Sequence, residues 1–166
     1  MARYTVVYDA SVLYPAPLRD LLLELATANL FRAKWTDKIH DEWIESLLAK
    51  RIDIDRAALS RTRHLMNSAV PDCLVTGYEY LIPALNLPDQ DDHHVLAAAI
   101  HSRADAIVTF NLRDFPDGDL KAHNVQAIHP DDFIAFQFDL DNAGVIVSAS
   151  KCRRRVIEPG LTPRHT

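Results

Sequence analysis

The sequence predicts an α/β fold in which a central parallel sheet is covered by helices on both faces, three α/β/α layers in all. Three observations carry that prediction. Short runs rich in Val, Ile, Thr and Tyr, "YTVVY", "DAIVTF" and "NVQAI", read as buried strands. Between them lie stretches in which apolar residues recur at helical spacing. Strands alternating with helices at this rhythm imply crossovers, and crossovers belong to a parallel sheet.

The chain of 166 residues is long enough for one domain that buries roughly two thirds of its unfolded surface. The first strand is Tyr4 to Tyr8, and it ends on Asp9. Leu18, Leu21, Leu22, Leu25 and Ala26 then predict a helix over about 17–31, and "AKWT" a short strand. In "TDKIHDEWIESLLAKR" Thr36 or Asp37 caps a helix with Ile39, Trp43, Leu47 and Leu48 on one side. A further helix is expected from about Ile54 to Ser68, "CLVTG" is strand-like, and "EYLIPALNL" is a short helix or turn broken by Pro83. "DQDDHHVLAAAIHSRA" has the cleanest helical pattern of the chain, and "DAIVTF" follows it as a strand. "NLRDFPDGDLKAH" reads as loop with one helical turn, "NVQAI" as the last strand, and Pro130 opens a helix through about Phe138. The domain is therefore drawn over 1–138, with 139–166 a C-terminal extension, truncated or partly disordered, that carries "KCRRR" and three late helix breakers.

Composition narrows function. The net charge of −5 disfavours a generic polyanion binder, which usually carries a basic stripe. Surplus acids, however, can hold metals. Cys73 and Cys152 match no metal spacing and are expected as reduced thiols. No window approaches the roughly 18 apolar residues of a membrane span, and Met1-Ala2-Arg3 leads straight into a strand, so a cytoplasmic protein is expected.

Asp9 is the first candidate site residue, because the carboxyl ends of parallel strands are where ligands bind. Ser11 stands two residues on, where a phosphatase of the haloacid dehalogenase type would have its second Asp. In the helix beginning near Asp89, Val95, Leu96, Ala99 and Ile100 define one face at about 100° per residue. Extended backwards, that face centres on Asp92, with Asp89 at its edge, Asp91 to one side and His94 nearly opposite. An inward carboxylate persists when paired or bound to a cation. In "VTFNLRDF", Thr109, Asn111 and Asp114 stand at or beyond a strand end and can face the same crevice as Asp9. Acids brought together repel, so the set implies a divalent metal, and oxygen ligands without Cys imply Mg2+ or Mn2+. A fourth acid is expected from Asp41, Glu42 or Glu45, among which periodicity does not choose. Zinc is disfavoured, since His93 and His94 point about 100° apart. Trp35 and Trp43 are expected in the core or at an interface rather than as a base-stacking platform.

The order "YDASVL", "IHDEW", "DDHHVLAAAI" and "VTFNLRDF" resembles the PIN domain family, and more closely the VapC-type toxins of bacterial toxin–antitoxin systems, over about residues 4–136. The resemblance implies a three-layer α/β/α domain with an acidic pocket that binds Mg2+ or Mn2+ and cleaves RNA. It places the catalytic and metal-binding acids at Asp9, Glu42 and Asp92. Where relatives carry a last Asp two residues after the Thr, this chain has Asn111, and Asp114 takes that role. Ser11, Thr109, Asn111 and Asp91 would orient ligands or phosphate, and Arg113, Lys38 and Arg19 would steer RNA. The resemblance also implies a cognate antitoxin across the site and a homodimer, for which Trp43 and Tyr14 are candidate contacts. A catalytically silent module binding RNA or protein, and a metal-dependent phosphatase, are the alternatives.

Overall fold

Among the described residues the sheet has four parallel strands, β1 (Thr5–Tyr8), β2 (Arg32–Lys34), β3 (Ala106–Val108) and β4 (Gln126–Ile128), in the order β2-β1-β3-β4. The computed structural model describes residues 3–140 and 142–157. Every residue of β1 and β3 is buried, which is why both run apolar without alternation. Helices α1 (Ala10–Leu13) and α2 (Ala16–Thr27) join β1 to β2. Helices α3 (Asp37–Lys50), α4 (Arg56–Ala69) and α5 (His93–His101) lie between β2 and β3, and α6 (Asp117–Leu120) between β3 and β4. The chain thus moves one way across the sheet from β1 to β2 and the other way from β2 to β3 and β4. Right-handed crossovers in opposite directions put their helices on opposite faces, which makes the three layers. On the α2 side the Tyr8 hydroxyl donates to the Leu22 carbonyl (3.0 Å) and its ring meets Phe31 and Phe133 edge-on.

Most elements start where local chemistry says they should. The Thr36 hydroxyl accepts from the Ile39 N–H (3.0 Å) and caps α3, and Asp55 caps α4 through the Ala57 N–H. The helix expected to reach residue 31 ends at Thr27, and the chain turns at Asn29 with φ 68°. "CLVTG" makes a single parallel bridge, Trp35 to Leu74, rather than a strand. Pro83 lies inside a 3-10 helix, Glu79–Ala84, which it does not break. The last helices are α7 (Pro130–Leu140) and α8 (Asn142–Ile157), and α8 packs on α2 and α7. α7 runs through the expected boundary at 138. Residues 158–166, the last part of the expected extension, lie outside the described residues.

Trp35 and Trp43 are core residues, 0% and 1% exposed, the first of the two places expected of them. A polar chain passes between them. The Trp43 indole donates to His40 Nδ1 (3.1 Å), so the His40 proton sits on Nε2 and is donated to Asn67 Oδ1 (2.9 Å). Asn67 Oδ1 accepts a second bond from the Trp35 indole (2.8 Å). This chain ties α3 to α4 and to the residue after β2, and it sets the rotation of α3.

Candidate active site

Because the connection from β1 runs toward β2 and that from β3 toward β4, a crevice opens between their carboxyl ends, the switch point at which α/β folds bind ligands. Asp9 and Thr109 follow directly on the paired residues Tyr8 and Val108, and the Asp9 N–H bonds the Val108 carbonyl (3.0 Å). Asp9 precedes α1 but its side chain makes no capping bond to it. Its Oδ2 instead accepts from Thr109 Oγ1 (2.8 Å) and Ser11 Oγ (2.9 Å). Each hydroxyl has one proton, and both are spent on the same oxygen. Their lone pairs accept the N–H groups of Asn111 and Phe110, so the turn after β3 is fastened to the carboxylate. Asp9 is 5% exposed. Burial raises its pKa, the Thr109 and Ser11 bonds and the Ala10 N–H oppose that rise, and Glu42 adds to it.

On α3 the structure separates the three acids that periodicity leaves equivalent. Asp41 pairs with Arg63 (2.7 Å) and Glu45 with Arg56 (2.6 Å), both partners on α4. Glu42 turns the other way and meets His94 of α5, Nε2 to Oε2 at 2.9 Å. His94 was expected opposite the buried face. It is buried instead, as is every residue from His94 to Ala99. α5 lies against β1 and β3 on one side and the 3-10 helix Glu79–Ala84 on another, so it has no solvent face for the periodicity to mark.

Asp92 ends a 3-10 helix, Gln90–Asp92, and stands half-buried at the start of α5 without a side-chain cap bond. Its pKa is pushed up to about 7, first by burial and then by Asp9, Asp114, Asp89 and Glu42 in turn. Asp114 closes the 3-10 helix Leu112–Asp114. Of the acids on the same stretch, Asp89 raises the Asp92 pKa, and Asp91 is exposed. Among the described residues no Lys or Arg pairs with Asp9, Glu42, Asp92 or Asp114. Nor, among the described residues, do three or more Asp, Glu, His or Cys side chains lie close enough together to hold one ion in this arrangement. The donor set, oxygen only and short of positive charge, fits a hard divalent cation.

A stability effect follows from Asp92. Its pKa is raised from 3.8 to about 7, so between those values the folded chain binds a proton the unfolded chain has lost, and stability falls as pH rises through that window. Asp92→Asn is expected to stabilise the cation-free chain at pH 8 by ~1 kcal/mol after solvent screening, or about 2–4 °C in Tm. The gain should vanish near pH 4. Thermal unfolding in EDTA at both pH values checks it, and an equal gain at both would refute the electrostatic cause.

Beside Ser11 an open cleft of about 510 Å3 is lined by Tyr14, Ser46, Lys50, Phe110 and Asn111. The Lys50 ammonium lies 5.3 Å over the half-buried Tyr14 ring. Arg19 is engaged by the fold itself: its guanidinium donates to the carbonyls of Leu13 (2.6 Å) and Tyr14 (3.3 Å) and lies 4.4 Å over Trp43. Burial lowers its pKa to about 10. Lys38 and Arg113 are exposed. Two residues here escaped sequence reasoning, His94 and Lys50. For His94 the only local signal was a histidine inside an apolar helical run.

A model of the PIN domain family matches residues 5–113, which takes in Asp9, Glu42, Asp92 and Asn111 and stops one residue short of Asp114. The chain is 41% identical over 101 residues to the protein named "Putative ribonuclease VapC50" of Mycobacterium tuberculosis, a match covering 58% of this chain and 59% of that relative. The chain thus spans about three fifths of the length of the curated relative it matches. No solved structure matches.

Proposed function

The chain belongs to the PIN domain family, and from that premise we propose that it is a metal-dependent endoribonuclease, the toxin of a toxin–antitoxin pair, which hydrolyses RNA phosphodiester bonds with water. The observation that carries this reading is a buried carboxylate, Asp9, clamped at the switch point of the sheet with Glu42, Asp92 and Asp114 near enough to act on one another electrostatically. Likeness to a protein named as a ribonuclease supports it. Asp9 and Asp92 would hold the main ion, Mg2+ or Mn2+, with Glu42 and Asp114 completing the set directly or through water. The chemistry that a bound divalent cation supplies is a water of lowered pKa and charge neutralisation at the scissile phosphate.

The chain's own residues do the rest. Ser11 and Thr109 fix the rotamer of Asp9, and Asn111 closes the turn that holds Thr109. The cleft beside Ser11, lined by Lys50, would admit the RNA strand, with Lys50 and exposed Arg113 offering positive charge to its phosphates. An antitoxin that covers this cleft, and pairing of two copies of the chain in the cytoplasm, belong to the same proposal, as does the division into a domain over 1–138 and an extension beyond it. No helix of the described residues is long and apolar enough to cross a membrane. A second reading, a catalytically silent module that binds RNA or protein, is favoured by Asn111 at the last acidic position.

Purified chain is expected to cleave structured RNA in Mn2+ or Mg2+ and to stop in excess EDTA. Mn2+ binding with release of phosphate from nucleotides but no RNA cleavage would identify a phosphatase. RNA binding with neither Mn2+ binding nor cleavage would identify the silent module.

A further inference from the structure

We propose that His94 is a positioning residue that holds Glu42 in the orientation a divalent cation needs, an inference that rests on the function proposed above. The side chain of His94 is 3% exposed, and its Nε2 lies 2.9 Å from Glu42 Oε2. An ionised carboxylate only accepts, so Nε2 carries the proton and donates it into that bond. The other ring nitrogen, Nδ1, is buried with no partner among the described residues. A proton on Nδ1 would leave a buried N–H without an acceptor, whereas the Nε2–H tautomer leaves only a bare lone pair there.

For stability alone this is a poor choice of residue. The next five positions of α5, Val95–Ala99, are apolar and buried, and an apolar side chain at 94 would pack there without stranding a ring nitrogen. What histidine supplies and a hydrocarbon cannot is a directed donor aimed at α3. That donor is neutral. Arg or Lys at the same place would neutralise Glu42 and repel an incoming cation, while a neutral imidazole N–H fixes the carboxylate and leaves its charge available. Glu42 needs such a partner, because its side chain has three torsions and is partly exposed, and the flanking acids Asp41 and Glu45 are drawn toward α4 by Arg63 and Arg56. The bond spans 52 positions of sequence and joins α3 to α5 at the edge of the crevice. Hydrogen bonds of this kind, from a residue that does not touch the ion to one that does, hold ligating groups in place.

The test compares the parent, His94→Leu, His94→Gln, Glu42→Gln and the double variant His94→Leu/Glu42→Gln in the full chain. Mn2+ affinity is read by calorimetry, and Tm in EDTA serves as the control for folding. His94→Leu is expected to weaken Mn2+ binding about 10–100-fold with Tm in EDTA unchanged or raised. His94→Gln, whose amide N–H can reach Glu42, should recover most of that affinity. The double variant should bind no more weakly than Glu42→Gln alone, because the histidine acts only through the acid. If His94→Leu does not fold, His94→Asn, too short to reach Glu42, takes its place with the same expected loss. A parent that binds Mn2+ and cleaves RNA beside a His94→Leu variant of equal affinity overturns this inference alone. A folded parent that takes no Mn2+ overturns the proposed function and this inference with it.

Discussion

Asp9→Asn is expected to lower divalent-cation-dependent RNA cleavage by about 10²–10³-fold, the order lost when a principal electrostatic group is removed from a reaction site. The substitution isolates charge from shape. Asn keeps an oxygen that can accept from both Ser11 and Thr109, so the turn after β3 stays fastened, and it removes a negative charge that burial already disfavours. The variant should therefore fold as well as the parent or slightly better in EDTA. Cleavage of a labelled structured RNA, with circular dichroism and Tm for both proteins, checks the expectation. Retained cleavage in a preparation freed of contaminating nuclease would remove Asp9 from the reaction and with it the proposed site. Loss of cleavage together with loss of fold would mark Asp9 as structural.

The second large effect concerns the support behind the site. Asn67→Ala is expected to destabilise the chain by about 2–4 kcal/mol, because the one oxygen it removes serves two buried donors, the Trp35 indole and His40 Nε2. For a chain of this size that corresponds to a fall of about 5–15 °C in Tm. The consequence should extend to function. His40 lies two positions before Glu42 on α3, so loosening its ring should also loosen the orientation that points Glu42 at His94. Asn67→Asp keeps an acceptor for both donors and should lose less than Asn67→Ala. Chemical denaturation of the three proteins decides it, and a change below ~1 kcal/mol for Asn67→Ala would show that water replaces the lost oxygen.

The two expectations differ in how far the sequence alone supports them. Asp9 is legible because two local signals meet on it, an apolar run that ends at residue 8 and a helix that starts soon after. Given parallel strands, that position falls at the carboxyl end of the sheet. Asn67 gives no such signal. It lies in a helix whose pattern is ordinary, and its importance exists only because Trp35 and His40 are brought to it from 32 and 27 positions away.

By itself, the sequence determined the elements whose causes are short-range: the buried strands β1 and β3, the capped starts of α3 and α4, the alternation that dictates a parallel sheet, and the acids Asp9 and Asp92 at element ends. Those follow from side-chain periodicity and capping, which act over a few residues. Among Asp41, Glu42 and Glu45 periodicity left the choice open and the resemblance pointed to Glu42; only the tertiary structure supplied a physical distinction, because arginines of α4 pair with two of them and a histidine of α5 with the third. It alone showed His94 buried, since a helical pattern marks an inside and an outside only when one side meets water, and α5 is covered on more than one. It reduced "CLVTG" to one bridge beside Trp35 and laid α8 against α2 and α7. Each of these outcomes depends on which distant surfaces meet, and that is settled by the packing of the whole chain rather than by any window of it.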